Sequence, residues 1–212
     1  MPLEVLEAPP VRDAGTGSPP PGREAPRGGG DSRGPLPFDP TRFGLMAFLG
    51  SASMLFVGFT SALMLRRLSP DWQPLRPPGV LLLNTLALLA SSVCLEAARR
   101  RLRAWDLAGM RARVDATGAL GVLFVVGQAF AWRALAAQGI YLSTNPSSSF
   151  FYLLSGIHLV HLAGGLAWLA VLVTRARRMT VVPGADGLGL FALYWHFLGA
   201  LWLYLLVVLF VI

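Results

Sequence analysis

The chain has 212 residues, 54% hydrophobic and 14% charged, with a formal net charge of +7 and a mean hydropathy of +0.57. This is a membrane-protein profile, and one core domain is enough for the length. All 18 Lys and Arg residues are Arg, but they lie between apolar runs and not on one soluble face, so nucleic acid is not an expected partner.

Residues 1–41 are expected to form a disordered, cytoplasmic N-terminal tail. Residues 1–40 carry 10 Pro and 7 Gly, too much of both for a segment that must bury apolar surface to fold. The basic start and apolar stretch of a secretory signal are missing. A Pro-rich tether that docks on a partner is the competing role for the tail.

Five apolar runs follow, at residues 43–65, 79–98, 116–137, 150–174 and 189–212. Each approaches or exceeds the roughly 20 residues that cross a bilayer as a helix. Residues 42–212 are therefore expected to be an all-α bundle of five transmembrane helices. The connections between the runs are rich in Arg, Pro and Gly. Six arginines separate runs two and three (Arg99, Arg100, Arg101, Arg103, Arg111, Arg113), three follow run four (Arg175, Arg177, Arg178), and five precede or open run one. The opposite side has three, Arg66, Arg67 and Arg76, with Arg133 snorkelling outward. Positive residues are retained in the cytoplasm, which predicts a cytoplasmic N-terminus and a periplasmic C-terminus in a bacterial-type inner membrane.

The last two runs hold all three histidines. His158 and His161 share a helix face, with Ser155, Gly156, Ala163, Gly164 and Gly165 nearby to admit a neighbouring backbone. An imidazole in hydrocarbon needs a partner, so His158, His161 and His196 are expected to face other helices or a cofactor. Hydrogen bonding between helices is the favoured reading, with Trp195 a structural residue beside His196. A haem held by two opposed histidines is the competing one, and it requires matched depth and room for the macrocycle.

Among other polar residues, Glu96 can pair with Arg99 or Arg100 one turn on. Asn84, Ser91, Ser92 and Gln128 can bond between helices, and Trp132, Trp168, Trp202 and Tyr204 suit interfacial belts or packing. Cys94 is alone, so it forms neither an intrachain disulfide nor a thiolate cluster. No nucleophile–base pair, phosphate-binding Gly loop or carboxylate cluster is visible. No catalytic, cofactor-binding or metal-binding residue is assigned.

At Phe150, Phe151, Ser155, Gly156, His158, His161 and Gly165 the chain resembles subunit III of the haem-copper respiratory oxidases, the cytochrome c oxidase subunit III family. Those residues are similar to its F-F-x-x-T/S-G-x-H-x-x-H-x-x-x-G pattern, and Tyr194, Trp195, His196, Phe197 and Trp202 to its Y-W-H-F-x-x-x-x-W. Residues 42–59 resemble the R-(Y/F)-G start of a helix ending in G-F, and residues 81–92 the L-L-N-T-x-x-L-x-x-S segment.

The resemblance implies an accessory subunit in aerobic respiration that binds no cofactor itself. It would pack on the haem- and copper-bearing catalytic subunit I, alongside subunit II and possible larger respiratory supercomplexes, and bind structural phospholipid. It also implies that Arg175 contacts a phospholipid; a positive-inside anchor shared with Arg177 and Arg178 is the plainer role. A nitric oxide reductase accessory protein and a haem-carrying electron-transfer subunit are the alternatives. The chain departs from the family pattern in having Ser51–Ala52 where an S-E pair is common and Gly199 where an acidic residue often stands. It also departs in the tail, which cannot supply the two further N-terminal helices of longer members.

Overall fold

The computed structural model describes residues 39–75, 77–177 and 187–211. Most of the expected tail, up to residue 38, and the segment 178–186, which includes Arg178, lie outside the described residues. Among the described residues five helices form: α1 (Pro40–Arg66), α2 (Val80–Arg103), α3 (Leu107–Ala137), α4 (Pro146–Arg177) and α5 (Gly187–Phe210). All five contain stretches long and apolar enough to cross a membrane. The helix is the conformation that satisfies every backbone N–H and C=O internally in hydrocarbon.

The helices begin where short acceptors meet the first free N–H groups. Asp39 accepts from Thr41 N at 2.9 Å ahead of Pro40, and Asp106 from Gly109 N at 2.8 Å. Asn145 accepts from Ser148 N at 2.8 Å ahead of Pro146. Proline suits the first helical position because its missing N–H is not needed there. Past the end of α3, Gly139, with φ of +75°, lets Ile140 N donate back to Leu135 O at 3.0 Å and closes the helix.

Helices α3 and α4 outrun their apolar stretches. At 31 and 32 residues they are about 46–48 Å long, against about 30 Å of hydrocarbon. The excess at one end carries Asp115 and Arg177, which pair at 3.5 Å across the start of α3 and the end of α4. At the other end Arg66 pairs with Asp71 at 2.7 Å, the Arg67 guanidinium lies 5.6 Å from the Trp72 ring centre, and the Ser147 hydroxyl donates to Gln73 O. The first two contacts fold the α1–α2 connection back on the end of α1, and the Ser147 bond ties it to the start of α4.

α2, α3, α4 and α5 form a ring in which each helix packs on two neighbours. α1 lies outside it against α4 and α5 only. The core runs along the inside of the ring and under α1. Outward faces carry Leu82, Leu86 and Val93 on α2 and Val122, Leu123, Val126 and Phe130 on α3, all exposed. That distribution suits lipid or another subunit as surroundings.

Candidate functional site: an aromatic seam around the α4 histidines

Hydroxyl groups in the spans are first satisfied within their own helix. Thr85 donates to Leu81 O at 2.8 Å, Ser91 to Leu88 O at 2.6 Å and Ser155 to Phe151 O at 2.6 Å. Such back-bonding leaves the hydroxyl oxygen free to accept from a neighbour. Tryptophan indoles take up that offer. Trp195 Nε1 donates to Ser91 Oγ at 2.9 Å, Trp202 Nε1 to Thr85 Oγ1 at 3.1 Å, and Trp132 Nε1 to Ser155 Oγ at 3.1 Å. The first two fasten α5 to α2 and the third fastens α3 to α4.

Glycines set how closely this seam packs. A Cβ on Gly121 would meet Leu166 Cδ2 and Trp195 Cη2, each at 2.9 Å, and one on Gly165 would meet Tyr194 Cε1 at 3.0 Å and Trp195 Cζ3 at 3.3 Å. Trp195 is fully buried as a result. On α3, a Cβ at Gly127 would fall 1.9 Å from Asn84 Oδ1. Gly127 thus makes room for the α2–α3 contact in which Asn84 Nδ2 donates to Gln128 Oε1 at 3.4 Å.

The histidines occupy three different settings, and among the described residues of this chain none of their rings forms the expected hydrogen bond to another helix. His158 is fully buried and neither ring nitrogen has a hydrogen-bond partner among the described residues. It is packed between the Phe124 ring, 5.9 Å away and near edge-on, and the Trp202 ring at 5.2 Å. The ring is held by shape and aromatic contact between α3 and α5. His161 bonds through Nδ1 to Ile157 O of its own helix at 2.8 Å, and it meets α1 through the rings of Phe48 and Phe56 at 5.9 and 6.0 Å. The α4–α5 hydrogen bond here comes instead from Tyr194, whose hydroxyl donates to the His161 carbonyl at 2.7 Å. His196 points outward and is exposed.

This arrangement does not fit the competing haem reading. Phe124 and Trp202 fill the space beside His158, and His196 faces away from the seam. Among the described residues there is no group of three or more His, Cys, Asp or Glu side chains able to hold a metal ion. Glu96 pairs with Arg99 at 2.8 Å. Arg175 stands in the last turn of α4, exposed.

The partners of the indoles were missed from sequence. Ser91 and Trp195 are 104 positions apart, and spacing marks each as helical without saying which hydroxyl faces which indole. The signal available was the coincidence of mid-span Trp with mid-span Ser and Thr, since a buried indole N–H needs an acceptor.

Fold and seam together define a multi-pass helical membrane protein whose buried polar side chains largely serve helix packing. Comparison with known proteins gives the family. The profile described as Cytochrome c oxidase subunit III matches residues 38–212. The chain is 31% identical over 177 residues to "Cytochrome c oxidase subunit 3" of Synechocystis, covering 80% of this chain and 75% of that one. It is 31% identical over 179 residues to the protein of that name from Thermostichus vulcanus, covering 80% and 86%. It is 30% identical over 177 residues to "Probable cytochrome c oxidase subunit 3" of Mycobacterium bovis, covering 80% and 86%. The chain belongs to the cytochrome c oxidase subunit III family. It is accordingly an accessory subunit of a haem-copper oxidase, associated with other oxidase subunits.

Proposed function

We propose that this chain stabilises the catalytic subunit I of its oxidase from the side, in a complex that also holds subunit II. Haem and copper belong to those partners, and Arg175 holds the phosphate of a structural phospholipid. The observation that carries the accessory role is the use of the indole and phenol donors of Trp195, Trp202, Trp132 and Tyr194 in fastening helices to one another. A rigid bundle of this kind supports a neighbour by shape.

Affinity purification through this chain in mild detergent tests the assembly. The expected product contains a haem- and copper-bearing subunit I with oxygen-reducing activity. A nitric oxide reductase in its place, or haem that stays with the isolated chain, would overturn the assignment. For the lipid, a guanidinium at headgroup depth grips a phosphate with two parallel N–H donors, which Lys cannot do. Native mass spectrometry should show bound phospholipid reduced in Arg175→Lys and further reduced in Arg175→Ala. Equal lipid in all three proteins would refute the clamp.

A further inference from the structure

α5 packs against α1, α2 and α4, whereas α1 and α2 make no packing contact with each other. The outward face of α5 is therefore the floor of a trough with α1 and α2 as its walls. Leu193, His196, Ala200, Leu203 and Val207 lie along this floor, all exposed. Apart from the imidazole, this stripe is apolar.

His196 makes this face unlike the outward faces of α3 and α4, where Val122, Leu123, Val126, Phe130, Val160 and Val171 stand. It is nine residues into α5 from Gly187, about 14 Å along the axis, which puts it within hydrocarbon. An imidazole there retains an N–H donor and a lone-pair acceptor that acyl chains cannot serve. Among the described residues His196 forms no hydrogen bond, and the α2 wall carries the Glu96–Arg99 ion pair. The Glu96–Arg99 pair is itself only two-thirds covered, with side-chain exposures of 34% and 29%.

We infer that a transmembrane helix of another oxidase subunit lies in this trough along α5 and presents a hydroxyl, amide or carboxyl side chain to His196. The inference rests on the accessory-subunit reading and gives that reading a docking face. A helix suits the site better than a lipid chain because the one polar group of this floor, the His196 imidazole, needs a polar partner that an acyl chain cannot supply.

A photo-crosslinking residue placed at position 196 or 203, with Val126 on α3 as control, tests this in the purified complex. Positions 196 and 203 should both yield adducts with one oxidase subunit, and position 126 should not. Adducts with lipid alone, or with a second copy of this chain, would overturn the proposal. In parallel, His196→Leu should lower retention of this chain in the complex roughly fivefold, the equivalent of about 1 kcal/mol, while His196→Gln should largely restore it. Equal retention in all three proteins would also overturn it. The two readings fail separately: a wild-type preparation without any oxidase subunit removes the accessory role and this face together, whereas an intact complex with lipid adducts alone removes only the face.

Discussion

At the scale of single residues, His158 separates shape from hydrogen bonding. Its ring contacts Phe124 and Trp202, and its nitrogens have no hydrogen-bond partner among the described residues. His158→Phe should therefore keep most of the stability, because an aromatic ring of similar size refills the slot, while His158→Ala should lose about 2–4 kcal/mol through the cavity left behind. Thermal unfolding of the detergent-solubilised complex measures the difference. If Phe is as damaging as Ala, a polar function of the ring must be restored to the account. Sequence reasoning marked this histidine correctly as deep but assigned it a hydrogen bond, because apolar context shows that a polar group is buried without showing what surrounds it. What surrounds it is set by Phe124 and Trp202, on two other helices. The same reasoning placed Trp202 among belt or packing candidates, and its tie to Thr85 could be read only once α2 and α5 were known to be neighbours.

For whole elements, much more was legible. Each apolar run became a helix, since backbone in hydrocarbon has few other ways to satisfy its polar groups. The helix ends were less so: run three begins at residue 116, but α3 starts at Leu107, because a charged stretch outside hydrocarbon can continue a helix that its cap has already started. That cap is open to titration. The Gly109 amide chiefly holds the Asp106 carboxyl below the usual value of 3.8, against an opposing effect of desolvation and with further help from the Arg101 guanidinium. A carboxyl with a lowered folded-state pKa contributes stability that is present above its unfolded value and lost as pH falls through its folded value. The thermal advantage of wild type over Asp106→Asn should therefore be present at neutral pH and shrink below about pH 3.8. A gap unchanged between pH 7 and pH 3 would show that charge plays no part in the cap.

At the scale of the molecule, the arginine-rich connection between α2 and α3 and the arginine-bearing end of α4 lie at one end of the bundle, where Asp115 and Arg177 meet. We expect that end to be cytoplasmic. A reporter fused after Ile212 should be periplasmic and one fused before Pro2 cytoplasmic. A cytoplasmic C-terminus would contradict this orientation. The ring order of the helices was not legible, because hydropathy gives spans without neighbours; the pairings of Ser91 with Trp195, Asn84 with Gln128, Trp132 with Ser155 and Tyr194 with the His161 carbonyl reveal it.

The absence of packing between α1 and its sequence neighbours has a consequence for biosynthesis. α2 and α3 are joined by three residues, with Trp105 in the left-handed region at φ 58°, and can close as a hairpin as soon as both have left the ribosome. α1 emerges before them but docks only on α4 and α5. It must wait in the bilayer until α4, and for its full site α5, has been translated, so the first of the five helices to be made is among the last of them to find its place. A nascent chain halted after residue 145 should hold α2 and α3 together while α1 remains open to a membrane-soluble thiol reagent at an engineered Ala52→Cys, a position that is buried in the finished bundle. Protection of that cysteine before α4 is made would show that α1 has another early partner.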